Sequence, residues 1–449
     1  MRNILCLIGF AWLVPGFAQT QPTKTSFSLA EAQEYALVNG YTVTDKRLEY
    51  QKARKTIRET AAMGLPQISA TGQYTYTPQI PAQALPDGTF GPEDGQPDLV
   101  EFGIPHQTVG TLSANQLIFD GSYFVALQAT RVYKEIAQLD MNKAEIDIKA
   151  DVANAYYGVL VAQEGILLAK ENLKVVSENF NEVNELYKSG FVEEQDADQL
   201  ELLMNNQMNQ LANMQRQKNL AVQLLQFNMG MGFQKQIELT NSIEDLTSFI
   251  DNNAGVANMG AFSLEQHIDY RIAQNNFQAA SLQLKNEKAA YLPSLSGFVQ
   301  HTQTNFNESE FNAFNYNTYW VPGTSLGLSL NWTIFSGLAR PARVQKAKID
   351  VQRTQLAIDI TENSLNLAYA VAQGDYQYAL DNYATQKKNV AISKKIRDRT
   401  LIKFKEGLSS SLDLTQAENQ LIATQSDYLQ ALQNLLTAKE NVQLALGQQ

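Results

Sequence analysis

Leu117-Ile118-Phe119-Asp120-Gly121 returns as Thr333-Ile334-Phe335-Ser336-Gly337, 216 residues further along the chain. Each stretch ends an alternating segment and opens a very long one. Working outward, further pairs follow in the same order. Gly64-Leu65-Pro66-Gln67-Ile68-Ser69 returns as Tyr291-Leu292-Pro293-Ser294-Leu295-Ser296, at an offset of 227. Tyr187-Lys188-Ser189-Gly190, followed by Asp196 and Glu201, returns as Phe404-Lys405-Glu406-Gly407, followed by Asp413 and Glu418, at 217. Ser28-Leu29 returns as Ser263-Leu264, at 235. The drift in offset measures insertions. A repeat this long is no short solenoid unit; it is one architecture built from two equivalent halves.

The long segments read as helices. No proline occurs from Ser122 to Ser189, and only Gly158 and Gly165 interrupt; at 1.5 Å per residue this helix is roughly 100 Å long. Its second copy runs from Pro341, well placed in a first turn, to Glu406. Val125, Ala129, Val132, Ile136 and Leu139 step by four and three, as do Ala169, Leu173, Val176, Phe180, Val183 and Tyr187. That is the seam of helices lying side by side. Return helices are expected at about 196–229 and 412–446. The second carries the same seam from Leu414 through Leu421, Tyr428 and Leu435 to Val442. Ser28-Leu29-Ala30-Glu31 and Ser263-Leu264-Glu265-Gln266 read as capping boxes, each opening a helix that runs to a Leu-Pro junction.

Strands are expected at about 67–77, 108–119, 294–303 and 324–335. In the first, Ile68, Ala70, Gly72, Tyr74 and Tyr76 alternate with polar residues; in the last, Leu326, Leu328, Leu330, Trp332 and Ile334 do. A period of two gives one apolar and one polar face. Each strand reaches the length of a tilted membrane strand. Four such strands are too few to close a channel, so a membrane role requires several chains. The expected domains are a signal peptide (1–18), a first repeat (19–232), a mid-helix insertion (233–261) and a second repeat (262–449).

Composition narrows the function. Residues 1–18 carry Arg2, an apolar run and Gly16-Phe17-Ala18, the pattern of a secretory signal. The chain's one cysteine, Cys6, falls inside it, which leaves no Cys-based metal site or disulfide in the exported part. Lys and Arg number 35 against 46 Asp and Glu, a net charge of −11, which argues against nucleic acid as a partner. No later apolar run reads as a membrane helix, so membrane insertion would be through strands.

Catalytic signatures are weak. Gly323-Thr324-Ser325-Leu326-Gly327 matches the G-x-S-x-G elbow, but that motif needs a strand-to-helix turn and this one lies in a strand. His106, His267 and His301 have no i,i+4 partner and read as isolated surface or loop residues. The acidic loop 85–101 lacks the order of an EF-hand and reads as solvated, although cation binding there stays open. No enzyme activity and no cofactor are expected.

The turns after the long helices carry the remaining candidates. Gly190 and Gly407 suit a left-handed C-cap, and Asp196 and Asp413 suit the N-caps of the return helices. In an oligomer these turns would gather into a ring at the far end of the long helices. Glu193, Asp196, Asp198 and Asp413 would make that ring negative and favour cations.

Taken in repeated order, Asn115 to Gly121, Asn331 to Gly337, the Leu-Pro junctions and the twin Lys-x-Gly…Asp turns resemble the TolC-like outer membrane efflux proteins. The resemblance covers almost all of residues 26–447. It implies a mixed fold of long coiled-coil helical hairpins and membrane strands. Three chains would share a 12-stranded outer-membrane barrel and a periplasmic α-barrel. It implies an exit duct served by a periplasmic adaptor and an inner-membrane pump of RND or ABC type. It places adaptor docking at Gly190-Phe191-Val192 and Gly407-Leu408-Ser409, and an aperture acid at Asp413. A second aperture acid would fall at Gln416, where this chain departs from the pattern. The alternative reading is an exported coiled-coil scaffold or adhesin without a pore.

Overall fold

The computed structural model describes residues 26–251, 262–308 and 319–447. The signal-peptide reading at 1–18 lies outside the described residues, as do the insertion's residues 252–261. In chain order the elements are β1 (Ser26–Phe27), α1 (Leu29–Asn39), α2 (Tyr41–Ala62), β2 (Gln67–Tyr76), β3 (Ala82–Leu85) and β4 (Asp98–Glu101). Then come β5 (His106–Phe119), α3 (Gly121–Lys188), α4 (Glu194–Asn228), β6 (Glu238–Leu239) and α5 (Ile243–Asp251). A 3₁₀ turn (Leu264–Gln266), α6 (Ile268–Ala289), β7 (Ser294–Asn307), β8 (Trp320–Asn331), α7 (Ala339–Lys405) and α8 (Ser411–Leu446) complete the chain. The described residues form two compact units, and each unit takes segments from both sequence repeats.

One unit comprises the described residues within Met1–Tyr41, Asp147–Gly260 and Gln373–Val442. It is helical, and its seams are those the heptads mark. Ala169, Val176 and Val183 of α3 and Leu414, Leu421, Leu435 and Val442 of α8 are buried. Each buried leucine contributes about 1.5–3 kcal/mol of transfer free energy. α8 also buries Gln425, Leu429, Leu432, Leu436 and Glu440, so it is covered on two faces. The insertion is tied in by the parallel pair β1–β6. The hydroxyl of buried Tyr156 donates toward Phe27 O and Asn241 Oδ1 (3.0 and 3.1 Å) and accepts from Asn241 N.

The other unit comprises the described residues within Thr42–Ile146, Ala261–Ala372 and Gln443–Gln449. It holds an antiparallel sheet of order β2-β5-β7-β8. Register aligns Ile68, Ala114, Val299 and Leu326 in one cross-strand row, and Ser69, Ser113, Gln300 and Ser325 in the next. Adjacent rows point to opposite faces; the outer strands β2 and β8 set Ile68, Ala70, Tyr74, Leu326, Leu328 and Leu330 on one apolar face, which β7 lines with Val299 but also with His301 and Gln303, while Phe298 lies on the other, mostly polar face. Polar rows are bonded across strands, Ser69 to Ser113 at 2.9 Å and Thr111 to Thr302 at 3.4 Å. The apolar face is bare: Ile68 is 73% exposed, Leu326 78% and Leu328 71%. Aromatic groups flank it. Tyr76 stacks on His106 at 4.6 Å near one end, and Trp332 Nε1 donates to Tyr291 O at the other.

Several expectations need correction. The helix that opens at Ser28 does so through a true capping box, but it stops at Asn39. Gly40, with ψ 134°, breaks the helical path and α2 starts anew. The box expected at Ser263 does not form; its side chain makes no capping bond, and α6 begins under His267 instead. His267 is therefore neither isolated nor on the surface. It is 5% exposed, and its Nδ1 accepts from Asp269 N. Burial lowers its pKa, against the pull of Asp269. β8 ends at Asn331 rather than near 335. α3 contains a window long and apolar enough by composition to cross a membrane, contrary to the sequence expectation; half of that window is buried inside the fold. Its hydrophobicity belongs to helix packing.

Ser325 lies within β8, opposite Gln300, where no strand-to-helix turn exists. In the loop between β2 and β5, Asp87 accepts from the N–H groups of Asp94 and Gly95. Asp98 accepts from those of Phe90 and Gly91. These two acids anchor the turn of the β3–β4 hairpin.

Candidate functional site

The two turns that end α3 and α7 are built alike. Gly190 and Gly407 have φ of +77° and +71°, a conformation that costs glycine least. Around each, two bonds close the helix. Gly190 N reaches Tyr187 O and Phe191 N reaches Leu186 O; Gly407 N reaches Phe404 O and Leu408 N reaches Lys403 O. This is the Schellman arrangement. It turns the next side chain outward in both copies, leaving Phe191 79% and Leu408 73% exposed. The third residues of the turns differ. Val192 packs on the core of Val176, Val183, Leu200 and Leu414, whereas Ser409 bonds to Asp413 at 3.1 Å.

The return helices start by different means. Neither Asp196 nor Asp413 is the N-cap that spacing alone suggests. Glu193 occupies the cap of α4 without a side-chain bond. Glu194 and Asp196 lie in its first turn, where negative charge favours the helix dipole. Before α8, Ser410 Oγ accepts from Asp413 N at 3.1 Å while Asp413 Oδ2 accepts from Ser410 N at 3.0 Å. The pair is a capping box with Asp in the position usual for Glu. The backbone N–H of Ser410, then the hydroxyls of Ser410 and Ser409, hold the exposed Asp413 carboxyl below the ordinary carboxylate range.

The two turns are tied to each other. The buried hydroxyl of Ser411 donates to Asp196 Oδ1 and lies 3.0 Å from Gln199 Oε1. Asp196 is thus half-buried and bound, while Glu193, Asp198 and Asp413 are exposed. Lys405 of α7 pairs with Glu182 of α3 at 2.7 Å. Below the second turn, Arg397 Nη1 meets Glu418 Oε1 at 3.4 Å, with side chains 5% and 0% exposed. Arg397 Nε also lies 2.8 Å from Asp398. Burial pushes the Glu418 carboxyl up, and Arg397 opposes that rise.

Sequence reasoning missed Ser411 and Arg397. Ser411 gives no signal, because a serine at a helix start reads as a cap. Arg397 did leave one. At the turn's offset of 217 it corresponds to Phe180, so an apolar seam position has become charged in one copy.

Comparison with known proteins brings three findings. The family described as "Outer membrane efflux protein" matches residues 34–231 and 263–448. The outer membrane efflux protein BepC of Brucella suis is 23% identical over 123 residues, and the chain covers 27% of that protein's length. Among solved structures, CusC superposes with a TM-score of 0.71 at 18% identity, covering 94% of this chain and 92% of that one. The Campylobacter jejuni CmeC outer membrane channel gives 0.72 at 14%, covering 93% and 85%. At these identities the structural likeness shows the fold.

Proposed function

The chain belongs to the outer membrane efflux protein family, and from that premise we propose that it is the passive exit duct of a tripartite efflux or type I secretion assembly. It conducts substrate handed over by a periplasmic adaptor and an inner-membrane pump to the exterior. The observation that carries the reading is the sheet. Its apolar face is exposed, and its outer strands β2 and β8 have no strand partner on their outer edges among the described residues. In lipid every backbone N–H and C=O must be paired, so such a sheet is stable there only as part of a closed barrel.

Three copies would close twelve strands with no edge left. A second exposed apolar face among the described residues supports the same assembly. Ile349, Leu356, Ile360, Leu367 and Val371 of α7 step by seven and four and are each more than half exposed. That is an apolar seam awaiting another helix. The scaffold alternative leaves the bare sheet face unexplained.

At the paired turns, the outward Phe191 and Leu408 suit docking of an adaptor's apolar tip. Glu193, Asp198 and Asp413, repeated round a ring, would set a negative potential that favours cations at the mouth. Asp196 serves that ring less through its charge than by fastening one turn to the other. The mass of the detergent-extracted protein tests the assembly: three chains per particle support it, and a monodisperse monomer sinks it.

A further inference from the structure

Two helices flank the outer strands of the sheet: α2 leads into β2, and α7 follows β8. We propose that the sheet-proximal ends of these two helices form a basic belt that binds the phosphate groups of anionic phospholipids in the periplasmic leaflet. The inference rests on the membrane placement of the sheet proposed above and adds the class of lipid held there.

The belt lies at one defined level. Strand pairing sets Gln67, Phe119, Ser294 and Asn331 at the same end of the sheet, so α2, α3, α6 and α7 all meet it there. Side chains fasten the junction. Gln116 Nε2 donates to Gly64 O at 2.6 Å, and the Tyr123 hydroxyl donates to Ala61 O at 3.2 Å. The Arg340 guanidinium donates to Thr333 O and lies 5.5 Å over the ring of Tyr291, whose carbonyl accepts from Trp332. Trp and Tyr settle at the headgroup level of a bilayer, and the positive charge starts at these rings. Arg58 and Arg343 lie about 6 Å along the helix axis from the helix ends at Ala62 and Ala339, and Arg54, Lys55, Lys346 and Lys348 about 10–14 Å. Flexible Lys and Arg side chains extend their charge toward such an interface.

The charge is concentrated rather than general. The chain as a whole carries −11, yet Lys46 to Ala62 holds six basic residues against two acidic ones, and Ala339 to Arg353 holds five against one. The internal repeat supplies the control. α2 and α6 have equal length, and both their ends are 227 positions apart; α3 and α7 follow the offset of 216. The equivalent segments, Ala273 to Ala289 and Tyr123 to Ala137, each hold two basic residues against one acidic. Arg54 and Lys55 correspond to Ser281 and Leu282, and Arg340, Lys346 and Lys348 to Phe124, Thr130 and Val132. The shared plan of the two copies therefore does not require this charge. It is confined to the helices beside the outer strands. Closing the ring brings those strands together, and with them two basic runs that repel each other unless an anion lies between them.

The fold itself does not neutralise the belt. Arg343 pairs with Glu287 at 3.2 Å, Lys46 with Glu49 at 2.8 Å and Arg353 with Asp350 at 3.5 Å. The side chains of Arg54, Lys55, Arg58, Lys346 and Lys348 are exposed and have no ion pair or hydrogen bond among the described residues. Nor does the helix dipole explain them. α7 has no acid in its first turn and sets Arg340 and Arg343 near its N-terminus, where positive charge opposes the dipole. A phosphate layer beside that end reverses the balance, since Lys and Arg near an anionic membrane surface are attracted to it within about a Debye length.

Native mass spectrometry of the full-length protein in detergent, with added dioleoylphosphatidylglycerol or dioleoylphosphatidylcholine, tests the belt. The trimer should retain the phosphatidylglycerol in preference, and high salt should weaken that preference. Arg54→Gln, Arg58→Gln, Lys346→Gln and Lys348→Gln together should abolish it, at about fivefold for each charge within reach of the headgroups. Lys388→Gln, Lys395→Gln, Arg399→Gln and Lys403→Gln, which remove the same charge near the other end of α7, should leave it intact. Equal retention of the two lipids by the unaltered trimer overturns the belt and leaves the duct standing, as does equal loss in both variants. Displacement of the lipid by an equal concentration of inorganic phosphate overturns it in favour of a free anion. Binding to isolated peptidoglycan that only the first variant loses, with lipid retention unchanged, assigns the charge to the cell wall instead. Particles that are monomeric by mass overturn the ring as well.

Discussion

Ser411 Oγ donates a hydrogen bond to Asp196 Oδ1, joining the first turn of α8 to the first turn of α4. The two residues are 215 positions apart and belong to different copies of the repeat. Hydrogen bonds to a charged acceptor contribute about 1.5–3 kcal/mol. Ser411→Ala should therefore loosen the paired turns. Amide exchange over residues 190–196 and 407–413 should accelerate, with the helices beyond unchanged. Asp196→Ala should have the same effect, and the double variant should add little to either. Additive effects would show that the bond does not couple the turns.

The ion pair of Arg397 and Glu418 is buried on both sides. Removing one partner of such a pair leaves an uncompensated charge and costs about 3–5 kcal/mol, whereas replacing both by apolar groups is often neutral. Arg397→Met should lower the denaturation midpoint markedly, and Arg397→Met with Glu418→Leu should recover most of the loss. A double variant as unstable as the single one would contradict this view of the pair. The first copy, with Phe180 at the equivalent position, already shows that an apolar residue is compatible with the packing.

That comparison shows what the sequence carries and what it hides. Long helices, strands and turns were legible because each follows from periodicity, proline placement or a glycine at a helix end. The failures are places where a partner distant in sequence decides. Ser263 looks like Ser28, yet His267 caps the helix. Asp413 looks like a cap, yet Ser410 takes that place and Asp413 answers it. β8 alternates through Ile334, yet it stops at Asn331, opposite Ser294, where its partner β7 begins. Ser411 and Arg397 act across helices, and no local pattern names such partners.

Tyr157 donates a 2.6 Å hydrogen bond to Glu440 Oε1, and both side chains are buried. Burial raises the Glu440 pKa above its ordinary 4.5, against the opposing effects of Tyr157 and Lys439. The folded state therefore holds this proton more tightly than the unfolded one. Its stabilising contribution is complete below pH 4.5 and declines as pH rises through the raised folded value. Glu440→Gln keeps an acceptor for Tyr157 but cannot ionise. The melting temperature of the unaltered protein should fall relative to this variant as pH rises above 4.5. Parallel pH profiles would show that Glu440 does not titrate differently on folding.

Asp413 behaves in the opposite sense. Its pKa lies below 3.8 in the fold, so its capping contribution is present above that value and is lost as pH falls through the lower one. At neutral pH it is ionised and exposed. Asp413→Asn should reduce the cation preference of the reconstituted protein, read as a shift of reversal potential in a salt gradient. An unchanged potential would remove Asp413 from the mouth.

Electrical recording from a planar lipid bilayer tests the central claim most directly, since an exit duct must conduct when reconstituted alone. Trimeric protein added to one side should give discrete, uniform conductance steps whose reversal potential favours cations. Trimeric protein that enters the bilayer and leaves its conductance unchanged would contradict the duct.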